Sequence, residues 1–134
     1  VWVFEQISGR LSRNNATLCF GYSGHGDGVN NPALEDVADI GPIPRGVYTM
    51  TAVEESPNTG PFSIVLVPDP CNQMFGRSNF RIHGDEVTHP GEHLASEGCI
   101  VCDRSSREVL WRSGDRSLQV VDTLRTEDQA WPYA

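Results

Sequence analysis

Apolar positions fall in short runs along this chain, mostly alternating with polar ones, and helical spacing is rare. Val1 to Ile7, which opens Val-Trp-Val-Phe-Glu, reads as a strand. Ser8-Gly9 reads as a turn, and Thr17 to Tyr22 as a second strand, so the chain opens like a hairpin. Val47 to Glu54 is a further alternating strand. After a turn over Ser56 to Pro61, Phe62 to Val67 is apolar more continuously, as expected of a central strand covered on both faces, and Pro68-Asp69-Pro70 ends it. The run from Phe80 ends in the turn His83-Gly84, the turn Ser96-Glu97-Gly98 leads into Cys99-Ile100-Val101, and Ser117 to Asp122 reads as the last strand.

Between these runs the chain is punctuated by glycine and proline. Gly21 through Pro32 is too rich in glycine for a helix or a regular central strand, and predicts an ordered surface loop. Gly41-Pro42-Ile43-Pro44-Arg45-Gly46 predicts a rigid extended connector, because each proline fixes φ and pushes the residue before it out of the helical region. Cys71 to Ser78 predicts an irregular loop, whose Arg77 either reaches a site or faces solvent, with solvent the favoured outcome. One helix is predicted, after Cys102: Asp103 as its N-cap, Glu108 to Arg112 in its body, and Gly114 at the left-handed position after its end. Ser106, Val109, Leu110 and Ser113 would form its narrow face against the sheet. These elements define a mainly β fold with a single domain over residues 1–122, a mixed sheet curved into a sandwich or partial barrel with one packed helix, and a tail over 123–134.

Composition narrows the partners. The 134 residues suit one domain with one core, and no apolar run approaches the ~20 residues of a membrane span. All ten cationic residues are Arg and the formal net charge is −8, a poor match for nucleic acid or an anionic membrane. Val1 is not an initiator Met, which fits a trimmed chain or a piece of a longer polypeptide, and no signal segment is visible.

The candidate chemistry lies at the two turns. A free Cys is only a few per cent thiolate at neutral pH, so a nucleophilic Cys99 needs a neighbour to take its proton, and His83 at the end of an adjacent strand is that candidate. Gly98 leaves room for a substrate carbonyl beside the sulfur, backbone N–H groups around Gly98 and Cys99 are candidates for an oxyanion hole, and Ser96 closes the turn or donates a hydrogen bond. If Cys99 is catalytic, at most one disulfide can form among Cys19, Cys71 and Cys102. A zinc site built from His83, His89, His93, Cys99 and Cys102 is disfavoured. Cys99 and Cys102 bracket a strand-like Ile-Val and so point to opposite faces, and Pro90-Gly91 separates His89 from His93. A thioredoxin-like redox pair is disfavoured too, since the first Cys falls too early for the helix N-terminus.

His83-Gly84 followed by Ser96-Glu97-Gly98-Cys99-Ile100 resembles the His-Gly and Ser-x-Gly-Cys signature of the L,D-transpeptidase catalytic domain family. The resemblance is closest to the branch of type VI secretion antibacterial effectors and related prophage proteins. Trp2 to Leu11, Gly21-Tyr22-Ser23-Gly24, Gly41 to Tyr48 and Asp69 to Ser78 extend it over most of the chain. The wider family usually carries His and Arg where this chain has Glu97 and Val101, and the loop around Glu92-His93-Leu94 is slightly longer here, leaving His89 as an alternative base. The resemblance implies the L,D-transpeptidase type of sheet and a Cys99 thioester enzyme acting on peptidoglycan tetrapeptide stems, between the L-centre of the diamino acid and the terminal D-alanine. It further implies hydrolysis or D-amino-acid exchange there, and no metal or organic cofactor. Tyr22, Ser23 and Arg77 would line the substrate cleft. A monomer working as a toxin in the bacterial periplasm, delivered by a secretion system and countered by a cognate immunity protein, follows from the same resemblance. The rival readings are a non-catalytic cell-wall or carbohydrate binding module and a phage-associated lysis enzyme.

Overall fold

The computed structural model describes residues 1–57, 59–85 and 96–124. Among these residues nine strands form one sheet: β1 (Trp2–Glu5), β2 (Arg10–Arg13), β3 (Ala16–Phe20), β4 (Tyr22–Ser23), β5 (Gly46–Ser56), β6 (Gly60–Pro68), β7 (Arg81–His83), β8 (Ile100–Val101) and β9 (Ser117–Val121). Their spatial order is β3-β2-β1-β9-β5-β6-β7-β8-β4. Two neighbours, β1 with β9 and β7 with β8, run parallel and the rest antiparallel, so the sheet is mixed and mainly β as expected.

The opening is a three-stranded meander where a single hairpin was expected. Asn14 and Asn15 both take positive φ, 51° and 63°, the conformation of a two-residue hairpin turn that asparagine tolerates, and they join β2 to β3. β2 hides from pattern reading because its two buried positions are adjacent. Leu11 enters the core, and a bulge at Leu11/Ser12 turns Ser12 inward as well. Only Gly21 separates β3 from β4, yet these strands are the two edges of the sheet. One run of chain therefore serves both edges and the sheet wraps round on itself, although its ladder of hydrogen bonds stays open. Gly21 is required there: its N–H donates to Gly9 O at 2.8 Å, and a Cβ would sit 2.3 Å from Val101 O.

Inside the wrap lie Phe4, Leu11, Ile43, Met50, Ile64, Ile82, Ile100 and Leu118, all essentially without solvent exposure. The connector over 41–46 seats Ile43 in this core, and Pro44 O accepts from the Tyr48 hydroxyl at 2.6 Å. The helix α1 (Arg104–Arg112) forms as expected: the Asp103 carboxylate accepts from Ser106 N at 3.0 Å, and Gly114 takes φ +77° after the helix end. Its buried face differs from expectation. Ser106, Arg107 and Leu110 face the sheet and Val109 is exposed, because the Arg107 guanidinium donates to the carbonyls of Cys102, Phe62 and Pro61 and carries that position inward. The first residues of the expected tail are tied down, since Thr123 Oγ1 and Leu124 N both donate to Glu5.

Candidate active site

β7 and β8 bring the His-Gly and Ser-x-Gly-Cys turns side by side. Their parallel register pairs Ile82 with Ile100 and His83 with Val101, and Cys102 N donates to His83 O at 3.0 Å. Ile82 and Ile100 point into the core, so His83 and Cys99, one residue away on either strand, project from the opposite face. They sit two positions out of step, which puts their Cα atoms roughly 8 Å apart from strand spacing and rise. Cys102, three residues beyond Cys99, belongs to the core, so the two thiols do face opposite ways.

Burial sets the protonation tendency of both side chains of the pair. Burial is the main influence lowering the His83 pKa, aided by the charges of Arg107 and Arg81, so the imidazole is neutral at neutral pH. Its Nδ1 lies 2.8 Å from Gly84 O. A carbonyl can only accept, so the proton sits on Nδ1 and the Nε2 lone pair is the one available to a thiol. Burial likewise raises the Cys99 pKa, partly offset by a backbone hydrogen bond from Arg81 and the charges of Arg81 and Arg77. The resting pair is therefore thiol and imidazole, and a thiolate forms only by proton transfer.

Ser96, fully buried, organises the nucleophile turn. Its Oγ accepts from Gly24 N and Gly98 N, both at 3.0 Å, and donates to Cys99 O at 2.6 Å. Both expectations for Ser96, closing the turn and donating, therefore describe one arrangement. The Gly98 N–H is spent on Ser96, which removes it as an oxyanion donor and leaves the Cys99 N–H. Ser23 is also fully buried: its Oγ donates to Gly98 O and accepts from Ile43 N, both at 2.8 Å, which fastens the turn to the connector. Tyr22 is buried in β4, opposite Val101, and its hydroxyl donates to Asp85 at 2.9 Å; the Asp85 charge in turn supports the protonated form of His83.

Arg77 corrects the solvent-facing expectation. Only 8% of it is exposed, and its guanidinium donates to Glu35 O (2.6 Å), Pro42 O (2.8 Å), Gly41 O (2.9 Å) and Glu97 O (3.2 Å) while lying over the Phe80 ring. These partners are backbone carbonyls from three segments, which leave no mark in the sequence. Gly98 is explained by the same contact. It adopts φ +136°, and a Cβ would meet Arg77 Nη2 at 2.4 Å and Phe80 Cε1 at 2.9 Å. The space expected for a substrate carbonyl is filled by Arg77 and Phe80, and the glycine serves their close packing.

Cys99 opens onto a cleft of about 400 Å³ lined by Ala38, Asp39, Arg77, Asn79, Phe80 and Glu97 among others. Asn79 O is 3.7 Å from Sγ. His89, the alternative base, lies outside the described residues, as do His93 and the rest of the 86–95 loop. Among the described residues no group of three His, Cys, Asp or Glu side chains is arranged to hold a metal ion.

A single mixed sheet carrying a cysteine and a histidine at the ends of adjacent parallel strands, beside an open cleft, is the architecture of this site. The chain belongs to the Tlde1 domain family, type VI effector domains of the L,D-transpeptidase type, with residues 18–126 matched. The solved structure titled "Structure of Bdellovibrio bacteriovorus Bd1075" shares the fold at TM-score 0.59 and 15% identity, covering 96% of this chain and 51% of that one. The chain thus spans about half the length of that structure. A search of curated proteins gives no match.

Proposed function

We propose that this domain is a cysteine acyltransferase or hydrolase that acts on the tetrapeptide stems of bacterial peptidoglycan, cutting between the L-centre of the diamino acid and the terminal D-alanine. The observation that carries this reading is the neutral His83, its proton held on Nδ1 by Gly84 O, on the same sheet face as a Cys99 thiol that opens to the cleft. His83 Nε2 takes the thiol proton as Cys99 Sγ attacks the stem carbonyl. The Cys99 N–H donates to the oxyanion, and the imidazolium returns its proton to the departing D-alanine amine. The thioester left on Cys99 goes to water, which trims the stem, or to the amine of another D-amino acid, which exchanges the terminus.

Arg77 stands in for a charge that the wider family places two residues after the cysteine, where this chain has the buried Val101. Its guanidinium supports the thiolate electrostatically while its hydrogen bonds hold the turn. Tyr22 and Ser23 act from behind the cleft as positioning residues. We further propose that the domain works as a monomeric toxin in the periplasm of a target cell, with an immunity protein protecting the producer; membership of a type VI effector family is the reason for expecting delivery by a secretion system.

The test is mass spectrometry of purified tetrapeptide muropeptides incubated with the protein, with a Cys99→Ala control. Loss of the terminal D-alanine, or its replacement by an added D-amino acid, only with the intact cysteine is the expected result. Unchanged stems with both proteins would refute the enzyme reading and favour a cell-wall binding module.

A further inference from the structure

Three of the four cysteines play no part in the site, and the wrap of the sheet brings two of them, Cys19 and Cys102, together. Cys19 lies in edge strand β3, and Cys102 follows β8 at the cap of α1. Their thiols are near enough that each shifts the ionisation of the other. Cys102 belongs to the core and Cys19 packs at its margin, partly buried. Two residues beyond Cys19, the Cβ position of Gly21 comes within 3.3 Å of Cys102 Cβ, so the backbones are close as well. Neither other thiol is placed to compete, since Cys71 is exposed in the loop after β6 and Cys99 faces the cleft.

We propose that Cys19 and Cys102 are a disulfide-forming pair that ties edge strand β3 to the end of β8 across the seam of the wrapped sheet when the protein reaches oxidising surroundings. The seam is where a covalent tie adds most, because β3 and β4 are each paired on one side only and no ladder hydrogen bonds join the edges. The pair divides the chemistry. The neighbouring Cys102 thiol lowers the pKa of the partly buried Cys19 to about 7, which makes it the attacking thiolate, and the nearby Cys19 together with burial keeps Cys102 protonated until it resolves the intermediate. The Cys19 thiolate attacks one sulfur of a small disulfide such as oxidised glutathione, forming a mixed disulfide and expelling one thiolate. Cys102 then loses its proton and attacks the Cys19 sulfur, expelling the second. One oxidant disulfide is reduced to two thiols, and two protein thiols become one disulfide. Cys99 is left as a free thiol, so the staple and the proposed nucleophile coexist.

The proposal is independent of whether the domain cuts peptide stems, and its test needs no substrate. The full chain is equilibrated with oxidised and reduced glutathione, or with reductant alone, then alkylated and weighed intact. The reduced sample should take up four alkyl groups, one for each free cysteine, and the oxidised sample two. Tryptic peptide 14–45 should be joined to peptide 82–104, with fragmentation placing the link at Cys102 and the alkyl group at Cys99. A Cys19→Ser variant should take up three groups under either condition. Four groups on the oxidised wild type, or a link through Cys71 or Cys99, would overturn the assignment.

Discussion

Replacing Arg77 by methionine keeps most of the side-chain volume and removes the charge and every donor. Four carbonyls, those of Glu35, Gly41, Pro42 and Glu97, lose a charge-assisted partner at once. Hydrogen bonds to a charged group are worth about 1.5–3 kcal/mol each, and a buried acceptor left empty costs about 1–3 kcal/mol. The four share one donor group and water can reach part of the vacated space, so a simple sum of some 10 kcal/mol overstates the effect. The expected loss is about 3–5 kcal/mol, the range for removing one member of a buried charged network. Lysine keeps the charge but concentrates its donors on one atom and cannot span both pairs of carbonyls, so Arg77→Lys should lose about 2 kcal/mol. Urea unfolding followed by tryptophan fluorescence, with the slope held common, measures both. The folded methionine variant should also alkylate more slowly at Cys99 near neutral pH, since a cation that favours the thiolate is gone. A methionine variant within about 1 kcal/mol of the parent, or a lysine variant equal to it, would refute the view that geometry at four carbonyls is what Arg77 supplies.

Gly98→Ala should destabilise the protein by about 2 kcal/mol or more, because its φ of +136° and the Arg77 and Phe80 contacts both exclude a Cβ; thermal unfolding measures it. Ser96→Ala removes the shared partner of Gly24 N, Gly98 N and Cys99 O and should cost about 2–3 kcal/mol in the same assay. His83→Gln should lower turnover of a tetrapeptide stem by about 100- to 10,000-fold while leaving the fold intact, as judged by circular dichroism. His83 is held neutral by burial, so below pH ~6.5 the unfolded chain takes up a proton before the folded one does. Stability is full above that pH and falls below it, and activity falls further down, as the pH passes through the lower pKa of folded His83; a midpoint that rises on acidification through pH 6 would contradict this. Cys99 works at the other end: with its pKa raised, stability falls as pH climbs past ~8.5, where the unfolded thiol ionises first.

The parts of this molecule visible in the sequence are those written in local chemistry. The His83 and Cys99 turns, the Asp103 cap and the left-handed Gly114 each depend on residues within a few positions, and each lies where the pattern puts it. The proline connector is likewise local. What stayed hidden depends on distant backbone. β2 offers a single apolar residue, Leu11, and the burial of Ser12 beside it erases the alternation. Arg77 and Arg107 read as surface cations, and both are drawn inward by carbonyls of other segments. At Gly98 the residue type was legible, but the reason for it was a guanidinium twenty-one positions earlier in the chain.

The continuity of β3 and β4 also sets the order in which the protein can assemble. Tyr22 waits for Val101 to be made before it gains its strand partner, and the meander joins the centre of the sheet only when Trp2 meets Leu118. Pairings between the two ends of a chain close large loops and are slow to form. A chain cut before β9 can still pair β7 with β8, but its meander has no strand to join it to β5. The wrapped sheet, with the meander carried round to β4, is complete only with the last strand.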